Sequence, residues 1–181
     1  MDKIEYFIEQ ALYFSRLSNF NKDYLIQEMD LERMVKQTVK MHMKSFLAKK
    51  ISLHLELDKF EVLTDKKGVL FIINQILSNS LKYSDDHGSI TIMTDKNNRF
   101  LTIKDSGIGI DSSDIPRVFE KGFTGKNGRQ LHSSTGMGLY LAKKTAEKLG
   151  HVMSITSEKD NWTEVRIYFP ETEDQLYQMK H

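Results

Sequence analysis

Asp105-Ser106-Gly107-Ile108-Gly109-Ile110 decides how this chain is read. It follows the alternating run Phe100-Leu101-Thr102-Ile103-Lys104, which predicts a strand. An acid therefore ends a strand, and two glycines turn the chain directly after it. Glycine accepts φ > 0 and lets backbone come close to a ligand, so such a corner takes a flat ring against main chain. The Asp105 carboxylate would accept a hydrogen bond from an amino group on that ring. Taken alone, D-x-G-x-G is explained more simply by a strand-ending turn with an Asx cap. Its neighbours along the chain change that balance.

Upstream, residues 66 to about 83 predict a strongly apolar helix through Leu70, Ile73, Ile76, Leu77 and Leu81, with Asp65 as N-cap candidate. Gln75, Asn79 and Lys82 stand at i, i+4 and i+7 and so share one helical face. Amide oxygens are hard ligands suited to Mg²⁺, and a lysine beside them suits phosphate. Downstream, Gly136-Met137-Gly138 opens a helix predicted from Met137 to about Leu149, where unsatisfied N–H groups favour an anion. Between these lies Lys121 to Thr135, glycine-rich, polar and basic, with Lys126 and Arg129 placed to fold over a polyphosphate as a lid. Each feature singly has a bland explanation: a polar helix stripe, an ordinary glycine-bearing helix start, solvated loop charges. Together they describe a base pocket, a divalent cation and a phosphate cradle, which is to say ATP.

Competing nucleotide and enzyme patterns fit worse. Gly125-Lys126 has Glu120 where a Walker A loop needs glycine, and Asn127 after it. Ser112 and Leu141 occupy the third position of either G-x-G-x-x-G. No H-E-x-x-H or G-x-S-x-G run occurs. The 181-residue chain has a formal net charge of +1 and no block of Lys and Arg, which argues against nucleic acid. Cysteine is absent, so disulfides and thiolate metal sites are excluded. The longest apolar run, Val69 to Ile73, is far short of a bilayer span.

The remaining segments complete the order. Asp2 to Phe20 predicts a helix with Ile4, Ile8, Ala11 and Leu12 on one face, widened by Tyr6, Phe7, Tyr13 and Phe14. It either packs on the domain that follows or is half of a helical hairpin. Residues 25–30 read as a linker, and Asp30 N-caps a helix from Leu31 to about Lys49. Strands are predicted at Ile51–Leu57, near Val62-Leu63, at Ser89–Thr94, Val152–Ser157 and Thr163–Phe169, with one helical turn at Ile115–Phe119. This order predicts an α+β, two-layer sandwich with a mixed, largely antiparallel sheet, rather than a doubly wound one.

Four segments carry a family resemblance. Gln75-Ile-Leu-Ser-Asn79-Ser-Leu-Lys82-Tyr83 resembles the N box of sensor histidine kinases, and Asp105 to Ile110 their G1 box. Phe119-Glu-Lys-Gly-Phe123 is similar to their F box, and Thr135-Gly136-Met137-Gly138-Leu139 to their G2 box. Order and spacing match together over roughly residues 31 to 170. The resemblance implies the Bergerat ATP-binding fold shared with gyrase, Hsp90 and MutL, with ATP and Mg²⁺ as cofactors. It implies Asp105 on the adenine amino group, Asn79 on Mg²⁺, Lys82 and Tyr83 near phosphates and ring, and Gly136 to Leu139 cradling phosphate. Gly107, Gly109, Ile110, Phe119, Lys126 and Arg129 complete the implied nucleotide contacts. The stretch from Phe123 to Arg129, followed by Ser134 to Leu141, is similar to intramembrane-sensing kinases of Gram-positive bacteria. Those answer bacitracin or antimicrobial peptides alongside an ABC transporter.

Two departures from the family pattern carry information. The N box often starts with Asn where Gln75 stands, and related ATPases place there a glutamate that activates water. Gln75 takes no proton at neutral pH, which favours transfer of the γ-phosphoryl to an outside nucleophile over hydrolysis. A Bergerat ATPase and a non-catalytic nucleotide-binding regulator remain the alternatives. The phosphorylated histidine of the family sits in an H box, an acid after it and proline five residues on. None of His42, His54, His87, His132, His151 or His181 has that context. The expectation is a division into residues 1–24, remnant of the second helix of a phosphotransfer hairpin; 25–30, linker; 31–170, ATP-binding kinase domain; and 171–181, polar tail. The full-length protein is then expected to be a membrane protein with this domain in the cytoplasm. A histidine-bearing hairpin and a response regulator are its implied partners.

Overall fold

The computed structural model describes residues 24–125 and 135–170, together with Ile8. The predicted helix at residues 2–20, the lid residues 126–134 and the tail 171–181 lie outside the described residues, Ile8 excepted. Strand β1 (Ile26–Asp30) leads into helix α1 (Leu31–Lys49), followed by β2 (Ser52–Leu57), β3 (Glu61–Asp65) and helix α2 (Lys66–Tyr83). A hairpin of β4 (Ser89–Asp95) and β5 (Phe100–Asp105) precedes a 3₁₀ turn at Ile115–Arg117. Helix α3 (Gly138–Lys148) and the hairpin of β6 (Val152–Glu158) and β7 (Trp162–Tyr168) follow.

The main sheet has five strands in the order β2-β4-β5-β7-β6. Only the β2–β4 pair is parallel, because α2 crosses over between those strands; the other three pairs are antiparallel. Alternation sets the buried face: Ile90 and Ile92 on β4, Leu101 and Ile103 on β5, Val165 and Ile167 on β7 are all buried. The helices cover that face, giving the two-layer sandwich expected from the element order.

Helix α2 occupies the centre. Every residue from Phe71 to Leu77 is buried, so the helix is enclosed on several sides along this stretch. It starts where predicted because Asp65 Oδ1 accepts the Gly68 N–H at 2.7 Å. The other carboxylate oxygen of Asp65 accepts the N–H of Leu25 at 3.0 Å, so one acid holds two distant backbone segments. Asp30 likewise caps α1 by accepting from Arg33 N at 3.0 Å.

The segment expected as a linker holds a strand. Ile26–Asp30 pairs antiparallel with Glu61–Asp65 in a separate two-stranded sheet, in register from Ile26 opposite Asp65 to Asp30 opposite Glu61. The 3₁₀ turn is also shorter than the helical turn expected to reach Phe119.

Candidate nucleotide site

Helices α2 and α3 pack against each other. The start of α2 meets the end of α3: a Cβ on Gly68 would lie 2.8 Å from Leu149 Cδ1 and 3.5 Å from Thr145 Cγ2. Just beyond these ends, Thr64 Oγ1 and His151 Nε2 are 2.7 Å apart. Counting about 11 residues, roughly 16 Å, along each helix from that contact reaches Asn79 on α2 and Gly138 on α3.

The acid corner closes onto the same end of α2. Asp105 ends β5 and is 5% exposed. Its carboxylate accepts from the Ser80 hydroxyl, the Gly107 N–H and the Thr163 N–H. Burial pushes its pKa above the ordinary carboxylate value, and those three donors only partly offset the push. The corner then rests directly on α2: Ile108 N donates to Tyr83 O at 3.1 Å, and a Cβ on Gly107 would stand 2.5 Å from that oxygen. Gly109 has φ +62°, and a Cβ there would lie 2.0 Å from Glu158 O. Both glycines are thus required by close backbone approach.

The β6–β7 hairpin supports the corner from behind. Asp160 N donates to Ile108 O at 2.8 Å, and Ile110 N donates to Ser157 Oγ at 2.9 Å. The Ser157 hydroxyl in turn donates to Trp162 O at 2.6 Å. Ser80, Ser157 and Thr163 are site-shaping residues that sequence reasoning missed. Hydroxyl residues are too common for one to signal a role, although Ser80 directly follows Asn79.

The entry to α3 is tied to the segment holding Phe119. Gly136 has φ +65°, its carbonyl accepts Gly122 N at 3.1 Å, and a Cβ there would lie 2.4 Å from Gly122 C. Thr135 Oγ1 accepts Met137 N at 3.3 Å, and Met137 supplies no side-chain cap to α3. Gly138 is buried; Thr135, Met137 and Leu139 are half-buried. Phe119 packs partly on the core, with Lys143 Nζ 5.4 Å from its ring centroid. Beside it an open hollow of about 430 Å³ is lined by Arg117, Glu120, Lys121, Gly122, Phe123 and Thr124.

The three residues of the shared α2 face differ in depth. Asn79 and Lys82 are half-buried, and Lys82 Nζ lies 5.4 Å from the half-buried Tyr83 ring, but Gln75 is 0% exposed. Gln75 lies in the stretch of α2 enclosed on all sides, whereas Asn79 and Lys82 lie where the helix emerges. Among the described residues no group of three or more His, Asp or Glu is placed to hold a metal. The half-buried Asn79 offers an amide oxygen, the donor type that a hard cation accepts. Lys126 and Arg129 lie outside the described residues.

The two-layer sandwich, with its acid corner resting on the last turn of the amide-bearing helix α2, has the fold of a nucleotide-binding domain. Residues 64–173 match the family of histidine kinase-, DNA gyrase B-, and HSP90-like ATPases, and the chain belongs to that family. The chain is 34% identical over 171 residues to the sensor histidine kinase YxdK of Bacillus subtilis, covering 92% of this chain and 53% of that protein. It is 37% identical over 172 residues to the sensor protein kinase GraS of Staphylococcus aureus, covering 93% and 49%. The chain thus spans about half the length of the curated relatives it matches. Its fold is that of the histidine kinase ThkA, solved with the response regulator protein TrrA. There the TM-score is 0.73 at 15% identity, covering 94% of this chain and 50% of ThkA. ATP is the nucleotide this family membership assigns to the site.

Proposed function

We propose that this chain is the catalytic, ATP-binding part of a two-component sensor histidine kinase. In this reading it delivers the γ-phosphoryl group to a histidine on a helical hairpin, for onward transfer to a response regulator. The observation that supports it is the packing of the Asp105 corner on the last turn of α2, the helix that bears Asn79 and Lys82.

Asp105, held by three donors, keeps acceptor capacity for the adenine amino group, and Gly107 and Gly109 let the ring approach main chain. Ile110, Tyr83 and Phe119 border the ring. Lys82 lies toward the phosphates, and the backbone from Thr135 to Leu139 receives them at the positive end of α3. Lys126 and Arg129 would close over them from the lid. Asn79 would hold Mg²⁺, with Gln75 in the wholly buried turn before it. When bound, the ion supplies charge neutralisation on the transferring phosphates. This chain contributes positioning and exclusion of water.

Gln75 separates this reading from a hydrolase. At the position where related ATPases place a water-activating glutamate stands an amide, buried and unable to take a proton. Partner and location follow from the resemblance: a histidine-bearing hairpin, a response regulator, and a full-length membrane protein with this domain in the cytoplasm. Among the described residues no helix is long and apolar enough to cross a membrane. The finer assignment, to kinases answering bacitracin or antimicrobial peptides with an ABC transporter, rests on the loop and G2 sequence. YxdK and GraS, both sensor kinases, support the coarser reading.

The test is calorimetric titration of the chain with ATP, with and without Mg²⁺, followed by addition of the histidine-bearing hairpin in trans with γ-labelled ATP. Magnesium-dependent binding and acid-labile label on the hairpin are expected. Steady ATP turnover by the chain without transfer to the hairpin would sink the kinase reading.

A further inference from the structure

Helix α1 lies outside the four motifs, yet its last residue reaches the nucleotide end of α2. Lys49 is half-buried, and its Nζ donates to Leu81 O at 2.9 Å and to Ser84 O at 2.7 Å. The last four carbonyls of a helix have no partner inside it. At this end, Ser80 O accepts both Ser84 N, at 3.0 Å, and Ser84 Oγ, at 2.7 Å. Leu81 O takes Lys49, and Tyr83 O takes Ile108 N. A cation here is also favoured by the aligned peptide dipoles.

The fold fixes Lys49 as firmly as Lys49 fixes α2. Its carbonyl accepts His87 N at 2.8 Å, and Ser52 N donates to Gly88 O at 2.9 Å, so the turn after α2 is fastened to the turn after α1. Lys50 ends α1 in the left-handed region at φ 53°, donating to Leu47 O, and Ile51 N returns to Phe46 O. The turn that Lys49 grips carries Lys82 and Tyr83, and on its far side Tyr83 supports the acid corner.

We propose that Lys49 is a positioning residue of the nucleotide site. By holding the carbonyls of Leu81 and Ser84 it sets where the Lys82 side chain and the Tyr83 ring stand against bound nucleotide. This rests on the reading of Lys82 and Tyr83 as nucleotide contacts.

Lys49→Met keeps the apolar stem and removes the donors; Lys49→Arg keeps a cation with several donors. Each is titrated with Mg²⁺–ATP at a temperature well below its own thermal midpoint, so that only folded protein is compared. The Met variant is expected to bind about tenfold more weakly than wild type, and the Arg variant within about threefold. A structural role alone lowers the midpoint and leaves affinity unchanged. Wild-type affinity in Lys49→Met, or equal loss in both variants, overturns the proposal while leaving the ATP site standing. No ATP binding by the wild-type chain overturns the site reading and the proposal with it. Should Lys49→Met not fold, Lys49→Gln, with one donor group left, is held to the same criteria.

Discussion

Gly107 lies so close to the last turn of α2 that a Cβ on it would stand 2.5 Å from the carbonyl oxygen of Tyr83. The obstructing atom is backbone, which cannot rotate away. Gly107→Ala is therefore expected to lose about 1–3 kcal/mol of stability in urea unfolding and to weaken ATP binding together with it. A variant as stable as wild type would show that the corner moves more freely than its packing implies.

Asp105→Asn is expected to act with opposite signs on binding and on folding. Burial raises the Asp105 pKa above 3.8, so the folded chain holds this proton more tightly than the unfolded chain. Stability from this group is thus greatest at low pH and is lost as pH rises from 3.8 through the raised folded value. Asn removes that loss, so the nucleotide-free variant should unfold at the same or higher urea concentration at pH 7. Its ATP affinity should nevertheless fall roughly ten- to a hundredfold, the usual worth of a hydrogen bond to a charged group. Calorimetry and urea unfolding on the same sample read the two effects.

Asn79→Ala tests the cation. In the wild type, Mg²⁺ should tighten ATP binding; in the variant that gain should shrink by about tenfold or more, about 1.4 kcal/mol. Binding measured in chelator should differ little between the two proteins. An unchanged magnesium gain assigns the ion to another ligand.

His151 gives a pH signature unrelated to nucleotide. It is 1% exposed, tilted against Phe169 with ring centroids 4.7 Å apart, and burial pulls its pKa from 6.5 down to about 3. A buried neutral histidine contributes stability that is fully present above pH 6.5 and is lost as pH falls toward about 3. The loss should approach about 1.4 kcal/mol per pH unit below 6.5, roughly 2 kcal/mol by pH 5. His151→Gln should flatten that part of the urea stability profile, the difference between variant and wild type narrowing as the solution is acidified.

Helix α2 was legible to the residue, because Asp65 marks its start and apolar residues recur at helical spacing from Val69 to Leu81. Strand β1 was not. Its sequence Ile26-Gln-Glu-Met-Asp30 is mostly polar, and it pairs with β3 in a sheet of two rather than in the main sheet. The acid corner was legible because glycine is the one residue whose backbone freedom shows in the sequence. The donors around Asp105 come from Ser80 and Thr163, on elements far apart in the chain, so only the paired β5–β7 register and the packing of α2 reveal them. Helical spacing correctly put Gln75 on the face of Asn79. It was silent on depth, because periodicity gives direction around an axis and says nothing of how far along it the neighbouring elements reach.

The two oxygens of Asp65 hold the amides of Leu25 and Gly68, the first just ahead of β1 and the second in the opening turn of α2. No third residue intervenes between them. The entry of β1 and the helix whose last turns bear Asn79 and Lys82 are thus joined through a single side chain. Severing that yoke with Asp65→Ala would free both amides in one stroke.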